Sequence, residues 1–128
     1  MTARLVALAG AVLGLALSAS ASAQPDRDAA GDAQAERGRY LVQQVGMCIT
    51  CHGSSLHGSR LDFLAPGLPA ARFAPRIAGL PQLKTADAVT FFETGKLPNG
   101  TYARPPMPQY RLHHDDALAI ARYLKSLP

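Results

Sequence analysis

Apolar positions along this chain fall into four groups separated by polar or turn-forming stretches. The first is a continuous run, "LVALAGAVLGLAL", residues 5–17. The other three recur at helical spacing. In "AQAERGRYLVQQV", Tyr40, Leu41, Val42 and Val45 form a stripe, with Asp32 placed to cap a helix, Glu36 in its early turns and Gly46 at its end. In "TADAVTFFETG", Val89 and Phe92 share one face. Thr85 stands as a possible cap, Asp87 suits the positive end and Gly95 sits where a helix stops. In "HHDDALAIARYLKSLP", Ala117, Ile120, Ala121 and Leu124 form a buried face, with Asp115 and Asp116 at the start and Lys125 at the end. No strand alternation, internal repeat or coiled-coil heptad occurs.

Between these helices the chain is loop. Residues 53–81, "GSSLHGSRLDFLAPGLPAARFAPRIAGLP", carry too much Gly and Pro for a long helix or a sheet, though one helical turn fits. Residues 96–112 form a second proline-rich loop. Irregular segments this long in a small domain are usually functional, or pack on something other than secondary structure.

The first apolar run has a different meaning. It is preceded by "MTAR" and followed by "SASASA", ending Ala21-Ser22-Ala23. A single positive charge, 13 apolar residues and small residues at a cut make the pattern of a secretory signal peptide over residues 1–23. The run falls short of the ~20 residues a spanning helix needs, and no cysteine follows the cut to take a lipid. Export to a bacterial periplasm, without stable membrane insertion, is the expectation. Residues 24–32, "QPDRDAAGD", read as a flexible leader that buries nothing. One domain, residues 33–128, is left to do the work.

Composition then sharpens the picture. Without Arg4, the one charge in the first 23 residues, 12 basic side chains face 9 acidic ones. That excess is too slight and too scattered for a nucleic-acid binder, but it can steer the protein toward an acidic partner. The chain has no Trp and four each of Phe and Tyr, and its size is near the limit at which a polypeptide core suffices. Something else must fill the middle.

The chemistry sits in "GMCITCHGSS", residues 46–55, which holds both cysteines, Cys48 and Cys51, with His52 directly after. A disulfide here would close a loop too small to restrain the chain and leaves His52 unused. A redox dithiol wants a strand-rich fold around it. Structural zinc wants a second closely spaced ligand pair, and the His113-His114 doublet is adjacent rather than spaced. Haem uses all three residues. The two thiols add to the two vinyl groups on one porphyrin edge, and the imidazole next to them becomes the proximal iron ligand. Cys-x-x-Cys-His is the attachment pattern of covalent haem c.

A sixth ligand remains to be found among Met47, Met107, His57, His113 and His114. Met47 is held beside Cys48 on the proximal side, and His57 is too close to His52 in sequence. His113 and His114 open the last helix, where capping or solvation is the default. Met107 stands alone in "RPPMPQY", with Pro105, Pro106 and Pro108 stiffening the backbone around it. His52 and Met107 together would close the iron to substrates, stabilise its ferrous state and leave it fit for passing single electrons.

"CITCH", followed downstream by "RPPMPQYRLHHDDALAIARYLKSL", resembles the small class I bacterial monohaem cytochromes c, and "GRYLV", "PRIAGLP" and "TG" add to the likeness from Glu36 to Leu127. The resemblance implies an all-α fold of three or more helices and long loops wrapped around one covalently attached haem. It implies thioether bonds at Cys48 and Cys51, proximal ligation by His52 and axial ligation by Met107. It also implies that the first and last helices cross with Gly38 or Tyr40 against Tyr123, and that Pro81 lines the pocket. Two departures stand out. His113 occupies the slot usually held by a capping Ser or Thr, and the loop after the haem motif is long and rich in Arg.

Around such a haem, Tyr102, Arg104 and Arg111 are candidates to bond a propionate. Phe63, Leu64, Leu68, Phe73, Ile77 and Leu80 are candidates to pack the porphyrin face. The function expected is periplasmic electron transfer, as a free carrier or as the cytochrome subunit of a dehydrogenase. A periplasmic dehydrogenase would be the donor, and a respiratory-chain cytochrome or oxidase the acceptor. The alternatives are a haem enzyme or gas sensor with an open or displaceable sixth position, or a thiol or metal protein without haem.

Overall fold

The computed structural model of the chain describes residues 24–128. The expected signal peptide, residues 1–23, lies outside the described residues. The order of elements is α1 (Gln24–Tyr40), a π-helical turn (Leu41–Val45), α2 (Cys48–His52), β1 (Ser59–Arg60), β2 (Phe73–Ala74), α3 (Thr85–Thr94) and α4 (His114–Ser126). No helix among the described residues is long and apolar enough to cross a membrane.

Helix α1 begins at Gln24, so the stretch read as a leader is helical. Pro25 falls in the first turn, where its missing N–H costs nothing, and Ala29, Ala30, Ala33 and Ala35 favour helix strongly enough to carry Gly31. Residues 29–33 are exposed. At Leu41 the helix widens into the π turn, closed by the Gly46 N–H donating to the Leu41 carbonyl at 2.7 Å.

Helices α1 and α4 cross where Gly38 meets Ala119 and Tyr123; a Cβ built on Gly38 would lie 2.6 Å from the Tyr123 Cβ and closer still to the Ala119 carbonyl oxygen. Arg37 pairs with Asp116 at 2.9 Å on one side of this crossing. On the other, the Gln43 amide donates to the Tyr123 hydroxyl at 3.1 Å. Gly38 is thus the contact residue, while Tyr40 is half exposed.

Helix α3 packs on α4 through Val89, Phe92, Ala117, Ile120 and Leu124, all buried. It opens at Thr85 with Lys84 in the capping position and no side-chain capping bond, so Thr85 is the first helical residue rather than the cap. Gly95 closes it in the left-handed conformation, φ 72°, its N–H donating to the Phe91 carbonyl. His113 precedes α4 without a side-chain capping bond, as its chemistry leads one to expect. The long loop carries a further feature the pattern did not foretell. Two segments within it pair as a two-residue antiparallel ladder, Ser59 with Ala74 and Arg60 with Phe73. Strands this short have no alternation to read.

Candidate haem site

Helix α2 is little more than one turn, so Cys48 and Cys51, three apart, project from the same face. It is entered through Met47 in the left-handed region, φ 50°, and left through Gly53, φ 81°. Both cysteines are half-buried free thiols. Burial, with the neighbouring Cys51 adding to it, pushes the Cys48 thiol up to about 11. A protonated thiol at neutral pH is the opposite of what a redox dithiol requires.

His52 is buried, and its Nδ1 lies 2.7 Å from the carbonyl oxygen of Pro75. A carbonyl can only accept, so Nδ1 carries the proton and Nε2 is left with a free lone pair, the tautomer an iron ligand needs. Pro81, expected near the pocket, is exposed instead; the proline that meets the histidine is Pro75, at the start of the same "PRIAGLP" segment.

Cys48, Cys51 and His52 border a cavity of about 890 Å³, a size typical of cofactor sites. Met107 borders the same cavity, with Pro106 and Pro108 beside it. Leu61, Phe73, Ile77, Leu83, Phe91 and Leu97 supply apolar walls. Of the other candidate ligands, Met47 touches the cavity but is half exposed beside Cys48. The His57 ring is turned to the Ser55 carbonyl, and His114 to the Glu93 carboxylate at 2.8 Å. Neither they nor His113 reach the cavity wall.

The remaining candidates divide. Phe73 and Ile77 border the cavity; Phe63 and Leu68 are turned to solvent, Leu80 is packed in the helical core, and Leu64 lies off the wall. Among the polar residues Arg104 is on the wall. Tyr102 bridges back to Lys96, and the Arg111 guanidinium lies against Gly95 and donates to the Tyr110 carbonyl. Tyr110 is the residue that the sequence reading passed over: it borders the cavity, and its hydroxyl donates to the Gly46 carbonyl at 3.1 Å. Its position three after Met107, an aromatic close to the candidate ligand, was the available signal.

A wide, mostly apolar cavity with two thiols, an imidazole nitrogen free to ligate and a thioether on its wall fits an iron porphyrin. Comparison with known proteins agrees. The family model for cytochrome c matches residues 35–128. A curated relative, the alcohol dehydrogenase (quinone) cytochrome c subunit of Gluconobacter oxydans (strain 621H), is 30% identical over 117 residues, which covers 76% of this chain and 24% of that protein. The chain thus spans about a quarter of that relative's length. No solved structure gives a significant match. The fold, the attachment segment and the family match converge on one conclusion: the chain belongs to the cytochrome c family and carries a covalently bound haem c.

Proposed function

We propose that this cytochrome passes single electrons between redox proteins in the periplasm, through a haem held by Cys48 and Cys51 and ligated by His52 and Met107. The observation that carries the reading is that Met107 and His52, 55 positions apart in the chain, border one cavity, with His52 already fixed in its ligating tautomer by Pro75. When bound, the haem supplies the one-electron couple. The protein's part is to hold the iron from both sides and to keep water off it.

Each residue has a stated share in this. The Cys48 and Cys51 sulfurs anchor one porphyrin edge. The Pro75 carbonyl raises the basicity of the His52 imidazole and sets the plane of its ring. A thioether from Met107 favours the ferrous state and raises the potential. Apolar walls at Leu61, Phe73, Leu83, Phe91 and Leu97 lower the local dielectric, which disfavours the added positive charge of ferric iron. Arg104, on the wall, is placed to pair with a propionate.

The signal-peptide pattern of residues 1–23 supports export. The named relative is a cytochrome subunit of a quinone-dependent alcohol dehydrogenase, which supports a periplasmic dehydrogenase as donor and a respiratory-chain cytochrome or oxidase as acceptor. The modest basic excess of the exported chain favours acidic surfaces on those partners. Carbon monoxide tests the ligation. The reduced protein should show no spectral change at neutral pH, because both axial positions are taken. Fast stoichiometric binding would instead mark an open site and a gas-binding or catalytic role.

A further inference from the structure

Met107 lies in a segment with few hydrogen bonds to the rest of the fold. Within residues 104–112, the Met107 N–H turns back to the Arg104 carbonyl at 3.2 Å, which shapes the loop without anchoring it. Among the described residues, three hydrogen bonds tie the segment outward. The Ala71 N–H donates to the Pro105 carbonyl at 2.7 Å, and the Leu112 N–H donates to the Phe92 carbonyl at 3.0 Å. The third is the Tyr110 hydroxyl, donating to the Gly46 carbonyl at 3.1 Å.

These three tethers are not equivalent. The Ala71 bond leads to the long loop, and the Leu112 bond leads to α3. The Tyr110 bond leads to the residue two before Cys48, across 64 positions of chain. Gly46 is itself constrained: its N–H closes the π turn on Leu41, and a Cβ on it would stand 3.3 Å from the Cys48 sulfur. The ring of Tyr110 is braced against Phe92, with centroids 6.1 Å apart. It also forms a shared wall between the haem cavity and a second cavity of about 60 Å³ behind Cys48.

We infer that Tyr110 is a positioning residue for the sixth ligand, its hydroxyl latching the Met107 loop to the haem-attachment segment at Gly46 so that Met107 stays on the iron. This rests on Met107 being the ligand. The prolines flanking Met107 stiffen the loop internally but do not tether it; a stiff loop hinged at both shoulders can still swing away as a unit. The latch opposes that swing from the carboxyl side. It also makes the placement of the thioether depend on the same short segment that places the thiols.

Imidazole tests the latch, because it takes the iron of a His/Met site only when the thioether leaves. Tyr110→Phe keeps the ring on Phe92 and removes only the hydroxyl. Oxidised holoprotein with this change should bind imidazole about five- to tenfold more tightly than the wild type, the factor that loss of one intramolecular hydrogen bond gives to loop opening. Tyr123→Phe is the control. It removes the acceptor of the Gln43 bond, also 3.1 Å, at the α1–α4 crossing, and should leave imidazole affinity within about twofold of the wild type whatever it does to melting temperature. If Tyr110→Phe binds no more tightly than that control, Tyr110 is not a latch. A wild type lacking the spectroscopic signature of thioether ligation would end both this inference and the ligation on which it rests; a wild type with that signature and an unresponsive Tyr110→Phe overturns the latch alone.

Discussion

The carbonyl oxygen of Pro75 accepts a 2.7 Å hydrogen bond from Nδ1 of His52. One backbone atom thereby selects the tautomer, orients the ring and commits Nε2 to the cavity that Met107 also borders. If His52 ligates the iron of a bound haem, the group opposite it would decide between carrying electrons and binding molecules.

Replacing Met107 should change the chemistry without removing the haem. In Met107→Ala the thioether is gone and Cys48, Cys51 and His52 remain. The midpoint potential should fall on the order of 0.1–0.2 V, a fraction of the ~0.8 V that axial ligation commands, and the reduced protein should gain carbon monoxide binding. Potentiometric titration with optical detection measures the first and a carbon monoxide difference spectrum the second. An unchanged potential would exclude Met107 as the ligand.

Folding should depend on attachment. The segments from Gly53 to Pro81 and from Asn99 to Tyr110 have little regular structure, and their inner residues face the cavity. In Cys48→Ala with Cys51→Ala the covalent anchor is lost, and those loops lose the surface on which they pack. Far-ultraviolet circular dichroism of the double variant should show a largely disordered chain. A native-like spectrum would mean that the polypeptide holds its shape alone.

Gly38 should tolerate no side chain. A Cβ there meets the Ala119 backbone and lies 2.6 Å from the Tyr123 Cβ, so α1 and α4 must separate to admit it. Backbone cannot swing aside as a flexible side chain can. Gly38→Ala should cost at least the upper end of the ~1–3 kcal/mol typical of overpacking, read as a drop in thermal or denaturant midpoint. Gly31→Ala, whose Cβ would meet nothing within 4 Å, should be neutral or mildly stabilising.

Alkaline pH should act through Tyr110. Burial raises its phenol above the ordinary value of 10, with negative charge at Cys48 and Cys51 adding to the shift in the free-thiol chain. Thioether formation removes those charges and leaves the burial. A folded pKa above the unfolded one stabilises the native state in full below about pH 10, and that contribution is lost as pH rises through the folded value. The unfolding free energy of the wild type should therefore fall, relative to Tyr110→Phe, only above pH 10. A decline beginning below that value would contradict a buried, neutral phenol.

The sequence was most legible where local chemistry is strong. The stripes of α3 and α4 mark their helices because helical burial repeats every three to four residues, whereas in the first stripe only Leu41 and Val42 are buried and Tyr40 and Val45 face solvent. Cys48, Cys51 and His52 declare their cofactor by spacing alone. Met107 stood out as a candidate because prolines crowd around it, and it borders the cavity. The start of α1 was harder to read, since Pro25 and Gly31 suggest a break that the surrounding alanines override. Long-range pairings were harder again. That Pro75 rather than Pro81 meets His52, or that Tyr110 reaches Gly46, depends on the path of two loops whose course is set by the cavity between them. The exposed Phe63 and Leu68 show the same limit: hydrophobic identity in an irregular loop does not say which way a side chain turns.

The most direct test is near-infrared magnetic circular dichroism of the oxidised, purified holoprotein, which distinguishes a methionine-ligated haem from its alternatives. A low-spin signature of one imidazole and one thioether is the expected result. A high-spin signal, or that of two nitrogen ligands, would contradict the assignment of His52 and Met107 as the pair that holds the iron.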